Sequence, residues 1–224
     1  MNRINLVATA LNSHEIVRRQ LEYLATFVTA PCELILVDDG SDPPLQSTIR
    51  HLSIPFPLTL YATNDWRPWT QPRARNIGGR IASGDCLIFF DIDHIITPEI
   101  IDLAASFKGD MFHWRRKPGN LSNSGKLEVI ETSAQNQDLF HEIHLNSFSI
   151  KRIIWDKLKG YDEKFCGSYG GDDIDFLQRY RQLVEQGEAR PSEIMGTGYV
   201  YSDPSQDTKL FHDLPRNSNS TNPI

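Results

Sequence analysis

An α/β fold with a mostly parallel sheet covered by helices on both faces is predicted by three observations. Short apolar runs alternate with amphipathic helical segments, the runs are continuous, and carboxylates follow at the carboxyl ends of two of them. Continuous apolar runs suit strands buried on both faces, which is the condition of a parallel sheet. Right-handed crossovers then wind the helices around that sheet as a doubly wound fold.

The first strand is expected at Ile4 to Thr9, followed by a helix capped by Ser13. Ile16, Val17, Leu21, Leu24 and Val28 give that helix one apolar stripe. Leu34 to Val37 forms the second strand and ends in Asp38-Asp39-Gly40-Ser41-Asp42. A third run, Leu58 to Tyr61, leads through the Trp- and Pro-rich loop Asn64 to Pro72 into a helix over Arg75 to Ala82. Gly78 and Gly79 fall inside that helix, where glycine costs stability and allows close packing on the sheet. Leu87 to Phe90 is the fourth strand. The second half is less regular, with a strand at Asp110 to Trp114, polar loops through 117–140 and a short run near Phe148. A helix follows from Asp172, because Phe176, Leu177, Tyr180, Leu183 and Val184 share one face. There is no internal repeat. Residues 1–213 read as a single domain, and 214–224 as a disordered tail with too few apolar residues to pack.

Composition excludes several classes. The 224 residues are 39% hydrophobic, enough for one well-filled core. A formal charge of -6 and a pI near 5.6 argue against a non-specific nucleic-acid binder, which carries a basic patch. Cys32, Cys86 and Cys166 are odd in number, widely spaced and outside any C-x-x-C pairing, so neither a disulfide framework nor a zinc site is indicated. A reducing cytoplasm is the simplest compartment. There is no signal-peptide core, and no run reaches the roughly 18 apolar residues of a membrane span; peripheral membrane contact stays open.

Chemistry concentrates in Cys86-Leu-Ile-Phe-Phe-Asp-Ile-Asp93, where a buried strand runs into two carboxylates spaced i, i+2. In extended backbone that spacing puts both on one side, at the strand end where open α/β sheets bind ligands. Two carboxylates about 5 Å apart repel by about 3 kcal/mol at an effective dielectric near 20. A shared proton or a cation must answer that repulsion, and oxygen ligands suit Mg²⁺ or Mn²⁺. The blander account is a strand-end turn with solvated aspartates.

Three segments together resemble the GT-A fold glycosyltransferases that use nucleotide-diphosphate sugars, in particular the family 2 and β-1,4-galactosyltransferase-like enzymes. They are Leu36-Val-Asp-Asp-Gly-Ser41; Arg73-Ala-Arg-Asn-Ile-Gly-Gly79 with Gly84 to Asp93; and Gly160 to Asp175, which contains Gly170-Gly-Asp-Asp173. With the first strand they span residues 4 to 180 in matching order. The resemblance implies a Rossmann-like GT-A domain that moves a sugar from a nucleotide donor, here a UDP-sugar, to the hydroxyl of a glycan or glycoconjugate.

Residue by residue, the resemblance implies that Asp39, with Asp38 beside it, accepts a hydrogen bond from the uracil imide, and that Thr9 and Ala10 lie beside the base. Arg75 and Asn76 match the Arg-Asn that opens the corresponding helix, and a guanidinium can hold phosphate oxygens bidentately. Asp91 and Asp93 would be the metal-binding D-x-D, with Asp93 the direct ligand of Mn²⁺ or Mg²⁺. His212 would be a further ligand, although Lys209 stands where the galactosyltransferases carry Met. Gly170, Gly171 and Asp172 would contact sugar, with Asp172 replacing the family's Glu. Asp173 would be the base that deprotonates the acceptor, and a helix N-terminus favours its ionised form. A single base implies in-line displacement with inversion. The Gly-Gly-Asp-Asp segment gives a mild preference for UDP-galactose or UDP-N-acetylgalactosamine.

Weaker signals remain. Trp66 and Trp69 either stack on sugar or anchor their loop. His141-Glu-Ile-His144 lacks the zinc-protease spacing, and His113 to Lys117 reads as a strand end with a solvated basic turn. Two alternatives stay open: a nucleotide-sugar binding protein without catalysis, and a haloacid-dehalogenase-type phosphatase, whose nucleophile strand Phe89-Phe-Asp-Ile-Asp93 also resembles. A homo-oligomer or partner protein could complete the acceptor site.

Overall fold

The computed structural model of the chain describes residues 2–29, 31–65, 67–131 and 143–201. Four parallel strands form one half of a single sheet, in the order β3 (Leu58–Ala62), β2 (Glu33–Asp38), β1 (Ile4–Ala10) and β4 (Cys86–Asp91). The other half is mixed. β8 (Ile143–Lys151) runs antiparallel to β4, and β6 (Met111–Leu121) antiparallel to β8. Next come β9 (Glu193–Tyr201), parallel to β6, and β5 (His94–Ile95), antiparallel to β9. A short strand β7 (Leu127–Val129) hairpins onto β6.

This order curls the sheet back on itself. β5 follows β4 after only Ile92 and Asp93, yet it lies at the far end of the path β4-β8-β6-β9-β5. The backbone N–H of Tyr201 donates to the carbonyl of Asp93 at 3.0 Å, which joins the end of β9 to the end of β4. The two carboxylates of the D-x-D therefore stand at the seam where the curled sheet closes.

Alternate residues of the continuous apolar strands feed two cores. Leu6, Ala8, Leu34, Leu36, Ile88 and Phe90 face α1 (His14–Leu24) and α4 (Pro98–Ser106). Val7, Ile35, Val37, Leu87 and Phe89 face α3 (Gln71–Ile81), α5 (Arg152–Leu158) and α6 (Asp172–Glu185). A single-turn helix α2 (Gln46–Ile49) follows β2. Both faces are covered, as the uninterrupted apolar runs require.

Several elements depart from expectation. Ser13 occupies the N-cap position of α1, but its Oγ donates to the Leu11 carbonyl at 2.9 Å instead of accepting from the helix. The strand expected to end at Trp114 continues to Leu121, because β9 pairs with it residue by residue and supplies backbone partners to an otherwise polar segment. Helices α4 and α5 were not anticipated. Both are short, α5 being stopped by Lys159 and Gly160 in left-handed conformations at φ 59° and 71°. The expected boundary at 213/214 lies outside the described residues.

An aromatic column fixes α5 and α6 to the sheet. Phe89 stacks on Trp155 at 4.3 Å, Phe148 on Phe176 at 5.3 Å, and Tyr161 on Phe176 at 4.7 Å. Such pairs add about 0.5–1.5 kcal/mol each beyond their area burial. Gly79 of α3 meets this column face-on: a Cβ there would stand 2.6 Å from the Trp155 ring. The ring is held by Phe89 and cannot yield, so Gly79→Ala overpacks the contact despite its better helix propensity. A loss of about 1–3 kcal/mol is expected for such overpacking, read as a lower urea midpoint; a midpoint at or above that of the parent chain would contradict it.

Candidate active site

The carboxyl ends of the parallel strands lie in register. Thr9 pairs with Asp91 across β1 and β4, and Ala10 with Asp38 across β1 and β2. The buried Asp38 carboxylate accepts from the backbone N–H of Ser41 at 2.9 Å and of Leu45 at 2.8 Å. Both its oxygens thus close the turn that shapes this edge. Asp39 is also buried, anchored by its own N–H to the Ala10 carbonyl at 2.9 Å. Its Oδ1 accepts from the hydroxyls of Thr70 at 2.8 Å and Thr63 at 3.2 Å. Burial pushes the Asp39 carboxyl up to about 7, against the pull of the two threonines.

Arg75 and Asn76, expected at the donor phosphates, are turned into the interior. Arg75 is 1% exposed and ion-pairs with Asp91. Its Nη1 donates to the Tyr161 hydroxyl at 3.2 Å, which in turn donates to Asn146 Oδ1 at 2.9 Å. Burial works against the guanidinium charge, but Asp91, Tyr161 and Asp172 together more than offset it. The side chain of Asn76 clasps the backbone of Tyr161, donating to its carbonyl at 2.9 Å and accepting from its N–H at 2.7 Å. Helix α3 begins early enough, at Gln71, to aim this row under the strand end, and Gln71 Nε2 adds a bond to Asp91 Oδ1 at 2.9 Å. Part of the carboxylate repulsion inferred from the sequence is thus answered by a protein cation.

The second carboxylate behaves differently. Asp93 Oδ1 lies 3.0 Å from His94 Nδ1. Burial works to raise the Asp93 carboxyl, but His94, His144 and a backbone hydrogen bond together more than offset it and hold it below the usual carboxylate range. His94 is itself buried, and among the described residues its Nε2 has no hydrogen-bond partner. His144 Nδ1 stands 3.3 Å from Asp91 Oδ2 without the alignment of a hydrogen bond. Burial lowers the His144 imidazole to about 4, so it is neutral at pH 7 and offers a lone pair. One ligand atom each from Asp91, His94 and His144 lie within 4.8 Å of one another. An orphaned imidazole nitrogen beside a carboxylate and a second imidazole fits a divalent ion.

Opposite this cluster the loop before α6 turns through Gly170 and Gly171 at φ 91° and 89°, left-handed values that favour glycine. It delivers Asp172 and Asp173 to the first turn of the helix. Asp172 is 1% exposed, and its Oδ2 has no partner among the described residues. Burial raises its carboxyl while Arg75 pulls it down. Asp173 is half-buried, and its Oδ1 accepts from the Ile174 N–H at 2.8 Å.

One cleft of about 320 Å³ joins these parts. Thr9, Asp91, Asp93 and His144 line one side, and Gly170, Gly171, Asp172 and Asp173 the other. Asp38, Asp39, Ala10, Arg75 and Asn76 do not line it. His212, His141 and Trp66 lie outside the described residues. Trp69 is at the cleft, in edge contact with Tyr169 at 4.5 Å. His113 is buried within β6 instead of ending a strand. Sequence reasoning passed over Gln71, His94, Asn146 and Tyr161. The one available signal was His94, a metal-ligand residue directly after the D-x-D.

The family model for glycosyl transferase family 2 matches residues 6–151. The chain belongs to glycosyl transferase family 2. Membership removes the dehalogenase-type alternative. Solved glycosyltransferase structures share the GT-A fold. TarS of S. aureus superposes with a TM-score of 0.66 at 17% identity, over 90% of this chain and 37% of that one. TarS 1–349 in complex with UDP-GlcNAc gives 0.63 at 16%, over 94% and 60%. The mannosyltransferase PcManGT from Pyrobaculum calidifontis, in complex with GDP-Man and Mn²⁺, gives 0.59 at 13%, over 92% and 58%. The family 2 chain thus spans between about a third and three fifths of the length of these structures. No curated protein sequence matches it. No described helix is long and apolar enough to cross a membrane.

Two outcomes follow from this geometry. Asp39 holds in the folded state a proton that the unfolded chain releases above pH 3.8, so its contribution to stability is present below that pH and lost as pH rises through about 7. Asp39→Asn is expected to flatten the fall in urea midpoint across this window, and an unchanged slope would refute the assignment. Asp91→Ala leaves the Arg75 charge buried without its carboxylate, and a loss of about 3–5 kcal/mol is expected. Chemical denaturation of Asp91→Ala beside Arg75→Met, which removes the cation instead, separates the stranded charge from lost packing.

Proposed function

We propose that the chain is a metal-dependent, inverting glycosyltransferase that moves a sugar from a UDP-sugar to an acceptor hydroxyl on a glycan or glycoconjugate. The observation that carries this reading is the single cleft in which the strand-end carboxylates Asp91 and Asp93 face Gly170 to Asp173. The ends of β1 and β2 offer the nucleoside a site, where Asp39 accepts from the uracil imide and Thr9 and Ala10 border the base.

Asp173 accepts the proton of the attacking hydroxyl. It is the more exposed of the paired carboxylates, so an acceptor can approach it, whereas Asp172 lies beneath and orients sugar hydroxyls through its unpartnered Oδ2. A bound divalent ion supplies neutralisation of the charge that develops on the departing diphosphate. The buried Arg75 pairs with Asp91 and holds it in place for that role without touching the donor. Attack from the Asp173 side displaces the nucleotide in line and inverts the anomeric centre. The Gly-Gly-Asp-Asp segment favours galactose-type donors.

A panel of UDP-, GDP- and dTDP-sugars, incubated with and without Mn²⁺, tests this. Release of UDP from one donor is expected only with the ion. Asp173→Asn should lower turnover by about 10²–10⁴-fold, the usual share of a general base, with UDP affinity unchanged. UDP binding without turnover across the panel and a set of glycan acceptors would make the chain a nucleotide-sugar binding protein instead. The buried Asp39 adds a second readout. Its ionised form accepts more strongly from the imide, so UDP affinity should rise as pH passes about 7, and Asp39→Asn should abolish that rise.

A further inference from the structure

We propose that the ion is held by Asp91, His94 and His144, and that Asp93 is a positioning residue that aims His94 instead of a ligand. The D-x-D is thus split between an inner and an outer role. The metal's part in transfer rests on the function proposed above, but the site itself stands on separate observations.

The first is the state of His94. It is 2% exposed, and its Nδ1 meets Asp93 Oδ1 at 3.0 Å, which leaves Nε2 buried and unpartnered. A buried polar atom left without a partner costs about 1–3 kcal/mol, and no described residue relieves it. Its backbone is fixed instead. β5 pairs with β9, and the buried Gln20 amide donates to the carbonyls of His94 at 2.8 Å and Ile92 at 3.2 Å. A carboxylate on one ring nitrogen with the other nitrogen directed at a cation is the usual arrangement of metal-bound histidine.

The second is Asp91. Arg75 and Gln71 both engage Oδ1, so Oδ2 is the oxygen left toward His144, whose Nδ1 is 3.3 Å away. Three ligand atoms at about 2.0–2.2 Å from one ion stand about 3–4 Å apart. The cluster, within 4.8 Å throughout, closes on an ion with a contraction of about 1–1.5 Å at most. His144 is on β8 and the other two flank the β4–β5 corner, so rotamer adjustment suffices.

The ligand chemistry then predicts which ions bind. Two imidazoles and one carboxylate favour borderline ions over Mg²⁺, in the rising order Mn²⁺, Co²⁺, Ni²⁺. An all-carboxylate D-x-D would accept Mg²⁺ readily.

The test is metal binding by the full chain without donor. Mn²⁺ is titrated by electron paramagnetic resonance, and electron spin-echo modulation reads nitrogen coordinated to the bound ion. Nitrogen coupling is expected in the parent chain, with Mg²⁺ competing only weakly. His144→Gln, at a half-exposed position that tolerates change, should remove part of the coupling and weaken Mn²⁺ at least tenfold. His94→Gln should do the same, with its circular dichroism checked because the side chain is buried. Asp93→Asn should weaken binding about 10–100-fold, as loss of an outer carboxylate does, while the nitrogen coupling of both rings persists. Bound Mn²⁺ without nitrogen coupling, or loss of binding in Asp93→Asn with both histidine variants unaffected, would overturn the assignment. So would the absence of Mn²⁺ binding at millimolar concentration. Nitrogen-coordinated Mn²⁺ in a chain that transfers no sugar would uphold the site and reject the activity.

Discussion

The buried contact between Arg75 and Asp91 is the constraint on which the rest of the site depends. A guanidinium at 1% exposure is tolerable only with a carboxylate against it. Asp91 is therefore held by the fold as well as by any ligand. Through Tyr161 the same cation reaches Asn146 on β8, and Asn76, one residue along α3, grips the backbone of Tyr161. A single row of polar side chains thus ties the parallel half of the sheet, the mixed half and the segment leading to Gly170. The net energy of such a pair is modest once desolvation is counted. Its value here lies in fixing where one carboxylate points.

The second organising fact is the curl of the sheet. The segment from Asp91 to His94 leaves one strand and joins another at the opposite end of the path. The Gln20 side-chain amide and the Tyr201 backbone N–H, donating to the carbonyls of Ile92, His94 and Asp93, hold this corner. A corner of this kind can present successive side chains in different directions. That is how Asp91 meets Gln71 and Arg75 while Asp93 meets His94, both at the cleft.

Much of the fold was legible from the chain. The continuous runs 4–9, 34–37 and 87–90 gave the parallel strands because burial on both faces leaves no polar alternation to misread. Residues 115–121 and 193–201 stayed hidden, since Arg115, Arg116, Lys117 and Glu193 look like loop until two distant segments pair. That Asp91, Asp93, Asp172 and Asp173 would meet at one candidate site was legible for the same reason: they sit where strands end and a helix begins, and they line one cleft. The direction of side chains was not. A sequence shows Arg75 as a cation available for phosphate, and only the tertiary packing shows it consumed by Asp91. His144 on β8 reaches Asp91 by an antiparallel pairing that no local motif announces.

The curl also has a kinetic side. The pairing that closes it joins His94 to Val200, whereas β1 and β2 meet across a single helix. Contacts between segments so distant along the chain form late, because loop-closure entropy is paid before they return anything. The parallel half can assemble from neighbours, but the corner carrying Asp93 and His94 takes its final shape only when β9 docks. The mutual placement of Asp93 and His94 is therefore a property of the finished chain and is not expected of a fragment holding the parallel strands alone.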